Sequence, residues 1–416
     1  MKVSIIIILM LVCYFVTPAQ EIKNYMLDVD IDVAKRKLDV QGTIEIDFQN
    51  KDSITLLLWE NTTIHEINIG EDNVEYSFDT SGTSPIIYIP NGRKLVLKNI
   101  KDKNTISTIK FSYTCDMKKA GGWAKSFSED WIELGYYTAW YPVHNGSKNF
   151  HSTLNISIDN EYKVSGSGMV TQNGNSWEIK HYWPVFDNVI IAAKDLKVKS
   201  IGNKNVKTDI VYTKFPESDI DSISFLCSKI FEYYSEIYGK QENAYLKYVI
   251  NPLKGMGGYS RKKFVCIKAS EFNQYLREGI AHEMAHFWWN MAETGSWEDW
   301  LNEAFAEYSM LIYLREKGDK DKKIYEKHVN EFREWTKDTP PIWGIDRASP
   351  DAYAALYNKG SLILLEFEDK IGSEAFYGFL RKLIVAKVST TKEFLKLIEI
   401  ELSIEESKWF ENKLKS

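Results

Sequence analysis

The spacing of apolar residues in this chain changes once, near Pro216, and that change obliges it to build two kinds of core. Up to about Lys199, apolar and polar residues alternate in short runs, as in Tyr25 to Val33, Gly42 to Phe48 and Leu154 to Asp159. Period two puts every second side chain on one face, so these runs predict strands with one buried face. Asn-Gly at 91–92 and 145–146, Ser-Gly at 81–82 and Asn-Gly-Asn at 173–175 read as hairpins or loops. From Asp219 to Tyr238 the period is helical, with Ile223, Leu226, Cys227, Ile230, Phe231 and Tyr234 on one face. A strand is expected at Tyr245–Ile250, then a Gly-rich stretch, a short apolar run at Phe264–Ile267, and helix after helix beyond Glu271. The expected class is α+β multidomain, with a leader over 1–19, a β-rich domain over 20–205 and an α/β, mainly helical domain over 206–416.

The 416 residues leave room for two or three domains. Hydrophobic residues at 44% and charged residues at 26% exclude disorder, collagen and a multi-span membrane protein. A net charge of −6 offers no basic footprint for nucleic acid. Lys2, the 14-residue apolar run Val3–Val16 and Thr17-Pro18-Ala19 have the form of a cleaved secretory signal. That run is shorter than the roughly 20 residues a spanning helix needs. The mature chain is therefore expected to be secreted or periplasmic, without a stable membrane span. Cys115, Cys227 and Cys266 lie far apart and read as buried thiols, neither a zinc knuckle nor a redox pair.

The chemistry concentrates in His282-Glu283-Met284-Ala285-His286. On a helix, positions i and i+4 share a face, so both imidazoles can hold one metal ion. Glu283 projects to the side, where it can act as general base toward water. A catalytic zinc usually takes three protein ligands. A third histidine shortly downstream is excluded, because Trp289 and Ala292 stand at the Gly and His positions it requires. The carboxylates that remain are Glu293, Glu298, Asp299, Glu303 and Glu307, of which Glu303 lies in a helix-periodic run from Trp300 to Tyr308.

HEMAHFWWN followed by WLNEAFAEY resembles the aminopeptidase N family of zinc peptidases, the gluzincins. The resemblance implies a saddle-like N-terminal β-domain, then a thermolysin-like catalytic domain, with one Zn2+ per chain. It implies His282, His286 and Glu303 as ligands, with Glu307 a minor rival, and Glu283 as base. The chain leaves 16 residues between His286 and Glu303, about two fewer than the family usually does, which implies a shortened connector near Ala292 to Ser296. Tyr357-Asn-Lys-Gly360 resembles the family's Tyr-x-Lys-Gly, whose tyrosine donates to the oxyanion; Tyr353 is its competitor. The loop Trp131 to Pro142 resembles one in which an acid or amide holds the substrate's amino terminus, a place that Glu133 occupies. The resemblance runs from residue 21 almost to 416, without the family's large C-terminal helical domain.

One departure bears on specificity. The family's Gly-x-Met-Glu-Asn carries a glutamate that anchors the free α-amine, and Gly258 stands in its place within Gly255 to Arg261. Gly257 and Gly258 could still pair their backbone with an extended peptide. The expected protein is a secreted zinc metallopeptidase acting on peptides or proteins. It would trim N-termini through Glu133 or cut internally. The alternative is a noncatalytic zinc- or peptide-binding protein on the same scaffold.

Overall fold

In a computed structural model, the described residues are 20–98, 106–121, 125–144, 149–202, 206–241 and 244–416. The expected leader, 1–19, and the turn at 145–146 lie outside them. The alternating half forms three sheets. The largest has eight strands in the order Met169–Asn173, Ser176–Lys180, His151–Ile158, Glu21–Asp32, Lys37–Asp47, Ile106–Asp116, Thr62–Ile69 and Asp72–Asn73. Its alternation is visible in Glu21–Asp32, where Tyr25, Leu27, Val29 and Ile31 are buried and the residues between them are not. Asn-Gly-Asn at 173–175 makes the expected hairpin, between Met169–Asn173 and Ser176–Lys180. A three-stranded sheet (Ile54–Trp59, Gly92–Lys98, Glu75–Phe78) and a four-stranded one (Lys163–Gly166, Ile190–Ala193, Ile132–Leu134, Ser126–Phe127) complete this half.

A five-stranded sheet follows, in the order Lys197–Gly202, Val206–Tyr212, Ala244–Asn251, Phe264–Lys268 and Gly258–Arg261. Its first two strands are one antiparallel pair that brackets the expected boundary at 205/206. Gly258–Arg261 is an edge strand. The helices are α1 (Glu217–Tyr238), α2 (Gln274–Ala285), α3 (Trp300–Glu316), α4 (Asp319–Trp335), α5 (Gly360–Ile371), α6 (Ser373–Ala386), α7 (Thr391–Glu401) and α8 (Ile404–Lys415). The run of helices expected beyond Glu271 is broken over 336–353, where Pro340 and Pro341 forbid continuation of α4 and the chain forms turns. Among the described residues no helix is long and apolar enough to cross a membrane, and Cys115, Cys227 and Cys266 are free and buried.

Charged side chains join the halves. Lys247, on the strand Ala244–Asn251, is buried and donates to the carbonyls of Gly166 and Gly168, each at 2.7 Å. Arg261 pairs with buried Asp187 at 2.6 Å. Burial lowers the Lys247 amine to about 7. Such groups are tolerated in an interior only with partners of this kind.

Candidate active site

Helix α2 begins where Asn273 accepts a hydrogen bond from the Leu276 amide at 3.1 Å. It ends at Ala285, one residue short of the second histidine, because the amides of Trp288 and Trp289 both turn back to the Ala285 carbonyl. His286 keeps right-handed helical angles as the cap, so it still sits one turn beyond His282. Each ring has its Nδ1 occupied. His286 Nδ1 lies 2.9 Å from the Trp289 carbonyl and His282 Nδ1 2.8 Å from the Glu307 carboxylate. Both partners are acceptors, so both Nδ1 atoms carry hydrogen, which leaves each Nε2 as the nitrogen that could face a metal ion.

Helix α3 is buried on almost every side from Trp300 to Leu314. A carboxylate on such a helix needs a partner. Glu303 finds two: its Oε2 is 3.3 Å from His282 Nε2 and 3.4 Å from His286 Nε2. The ligand atoms of His282, His286 and Glu303 lie within 4.8 Å of one another. The other carboxylates go elsewhere. Glu293 is exposed. Glu298 accepts from the Thr391 amide and hydroxyl. Asp299 pairs with Arg347, and Glu307 stays on the far nitrogen of His282. Burial opposes charge on Glu303, but His286 and His282 hold its carboxyl well below the usual range. Burial likewise opposes charge on His282, which Glu303 and Glu307 nonetheless raise well above the ordinary value. Two imidazole nitrogens and one carboxylate oxygen converging on a site that favours positive charge fit zinc in donor type and number.

Glu283, 8% exposed, has no hydrogen-bond partner among the described residues, and burial raises its carboxyl despite the two histidines. A Cβ built on Gly258 would lie 3.0 Å from Glu283 Oε1 and 3.1 Å from the Cys266 carbonyl. Gly258 thus lies directly against Glu283, and its bareness gives that carboxylate room. Gly257 takes a positive φ of 108° and donates its amide to the Tyr275 hydroxyl at 2.8 Å. Glu133, 1% exposed, accepts from the Trp131 indole at 3.1 Å and from the Asn251 amide, and burial raises its carboxyl.

Tyr357 sits on a π-helical turn, Ala354–Lys359, that runs into α5. Its ring lies parallel to His282, 5.9 Å between centroids. Tyr353 stacks on Tyr357 at 4.4 Å but is 58% exposed. Gly360 makes the approach possible, since a Cβ there would stand 2.6 Å from the Ala304 Cβ, beside Glu303. Two residues that the sequence did not single out complete the surroundings. Arg347 reaches the Tyr357 hydroxyl from the 336–353 loop, and Tyr88 arrives from the β-rich half to bond the Thr294 carbonyl at 3.2 Å.

A β-rich unit is thus joined to a mainly helical unit that carries His282, Glu283, His286 and Glu303 together, a fold shared with solved two-domain structures. Residues 261–403 match the peptidase family M1 domain, and the chain carries that domain. It superposes on the M1 zinc metallopeptidase from Deinococcus radiodurans with a TM-score of 0.74 at 15% identity, covering 95% of this chain and 94% of that one. A structure of the same enzyme's variant with a bound Tyr-Ser-Ala substrate agrees equally well. Native leukotriene A4 hydrolase from Saccharomyces cerevisiae gives 0.71 at 17% identity, over 94% of this chain and 66% of that one. In sequence, the membrane alanyl aminopeptidase of Heliothis virescens is 30% identical over 114 residues, and the aminopeptidase A of Gloydius brevicauda 27% over 146. Those matches span 25% and 32% of this chain but only 11% and 15% of the relatives' lengths.

Proposed function

We propose that this chain is a secreted zinc-dependent metallopeptidase, with one zinc held by His282, His286 and Glu303. The observation that carries the reading is the convergence of three ligand atoms within 4.8 Å beside a carboxylate without a hydrogen-bond partner of its own. Zinc in such a place supplies Lewis acidity to a peptide carbonyl and acidifies water. Glu283 takes the proton from the attacking water, and its raised basicity lets it hold that proton until the leaving amine accepts it. The Tyr357 hydroxyl donates to the oxyanion as the carbonyl carbon becomes tetrahedral. Glu307 and the Trp289 carbonyl hold the imidazoles by Nδ1, so that each Nε2 would be left to bind the ion.

The reaction is aminopeptidase-like with an atypical amine anchor. The aminopeptidase relatives support this, as does the bound Tyr-Ser-Ala of the structural neighbour. Internal cleavage is the second reading, favoured by the bare Gly258 and by a Glu133 already engaged with Trp131 and Asn251. Secretion rests on the 1–19 leader alone. The test is metal analysis together with peptide hydrolysis. About one zinc per chain is expected, and Glu283→Gln should keep the metal while losing cleavage by at least about 100-fold. Free-amine and N-acetylated peptides separate the two modes. A wild type that binds zinc but cleaves neither is a binding protein.

A further inference from the structure

The Tyr357 hydroxyl is not left to orient itself. Arg347 Nη2 lies 3.4 Å from it, and Nε of the same guanidinium donates to Asp299 Oδ2 at 3.0 Å. Asp299 is 1% exposed, and its other oxygen accepts from Asn302 at 2.9 Å. Asn302 in turn clasps the amide and the carbonyl of Ala292, both at 3.1 Å, which pins the connector between the two motifs. The guanidinium also lies over the rings of Tyr88 and Tyr357, at 5.6 and 5.8 Å. Both halves of the molecule therefore hold one cation against one phenol. Asp299 stands four residues before Glu303, so the anchor of that cation and the third proposed ligand rise from the same turn of backbone.

We infer that Arg347 is a positioning residue for the Tyr357 hydroxyl: the guanidinium donates to the phenol oxygen and so directs the phenol's own hydrogen toward the reacting carbonyl. A guanidinium has no acceptor, so a hydroxyl beside it can only accept from it. The single O–H is then committed to another acceptor, and the cation polarises it as a donor. A lysine would not replace the arginine, because bridging Asp299 and Tyr357 together uses two separate donor nitrogens, Nε and Nη2, held rigidly in one plane. The inference rests on the peptidase reading and adds a residue to it.

The experiment compares wild type with Arg347→Ala, Arg347→Lys, Tyr357→Phe and the double variant Arg347→Ala/Tyr357→Phe, each checked for zinc content and thermal unfolding. Both arginine variants should lose kcat by about 10- to 100-fold with KM little changed. The double variant should be no worse than Tyr357→Phe, since the arginine acts through the phenol. A second readout is calorimetric affinity for a phosphonamidate peptide, which mimics the tetrahedral state and should weaken equally in Arg347→Ala and Tyr357→Phe. Three results would overturn the inference: additive losses in the double variant, full activity in Arg347→Lys, or a loss confined to KM for peptides with a free C-terminal carboxylate. The last would make Arg347 a substrate-carboxylate receptor. A wild type that hydrolyses nothing rejects the peptidase reading instead, and the phosphonamidate affinities still judge Arg347.

Discussion

Glu307 serves the site from its rear. By holding His282 Nδ1 at 2.8 Å it fixes the tautomer and orientation of the ring whose other nitrogen meets Glu303. Glu307→Gln is therefore expected to lower zinc affinity about 10- to 100-fold without abolishing binding, read by competition with a chromophoric chelator. Of five candidate carboxylates, the residues alone could not say which faces the histidines, because the answer depends on how far the connector turns α3. The flanking words did single out Glu303, and the geometry places it between the two imidazoles. Arg347 was illegible for a different reason. An arginine in a polar stretch reads as a solvated charge, and only the fold carries it to a phenol and a buried aspartate.

At the scale of elements, the site depends on how closely the turn bearing Tyr357 can lie on α3. Gly360 sets that distance, since any side chain there meets Ala304. Gly360→Ala should destabilise the protein by about 1–3 kcal/mol in urea unfolding, and adding Ala304→Gly should recover much of that loss. Periodicity revealed α1, the core strands and the helical character of the second half, because amphipathic faces leave a repeating trace. It did not reveal the 336–353 loop within the run of helices. Nor did it reveal that α2 stops at Ala285, where the chain turns so that the Trp289 carbonyl can reach His286. Both are decided by backbone hydrogen bonds and by proline, which leave no periodic signature.

For the whole molecule, the two-part organisation follows from the change of period, whereas the junction does not. Lys247 lies in an otherwise mostly apolar strand whose residues from Leu246 to Asn251 are all buried, and nothing local says that its ammonium ends among backbone carbonyls of the other half. His181 is close by, 3% exposed, between the hydroxyls of Ser152 and Ser167 at 2.7 and 2.9 Å. Burial, reinforced by Lys247, lowers its ring to about 3 from an ordinary value of 6.5. The unfolded chain therefore binds a proton that the native protein refuses between those values. Stability from this group is complete above about pH 6.5 and is lost as pH falls toward 3, at about 1.4 kcal/mol for each unit of displacement. Urea unfolding at pH 7 and pH 4.5 should show that loss, and His181→Gln should flatten it.

The two buried cations at the junction also bear on how the halves sit against each other. Hinging the halves apart would strip Lys247 of both carbonyls and separate Arg261 from Asp187. Leaving one such charge buried and unpaired costs about 3–5 kcal/mol, so these contacts favour one register of the two halves. The edge strand Gly258–Arg261 carries Arg261 at that junction and Gly258 against Glu283, so the same tie fixes where the strand's outer edge stands relative to the carboxylate. On the peptidase reading, that edge is a rail of set gauge for a substrate backbone rather than a moving jaw.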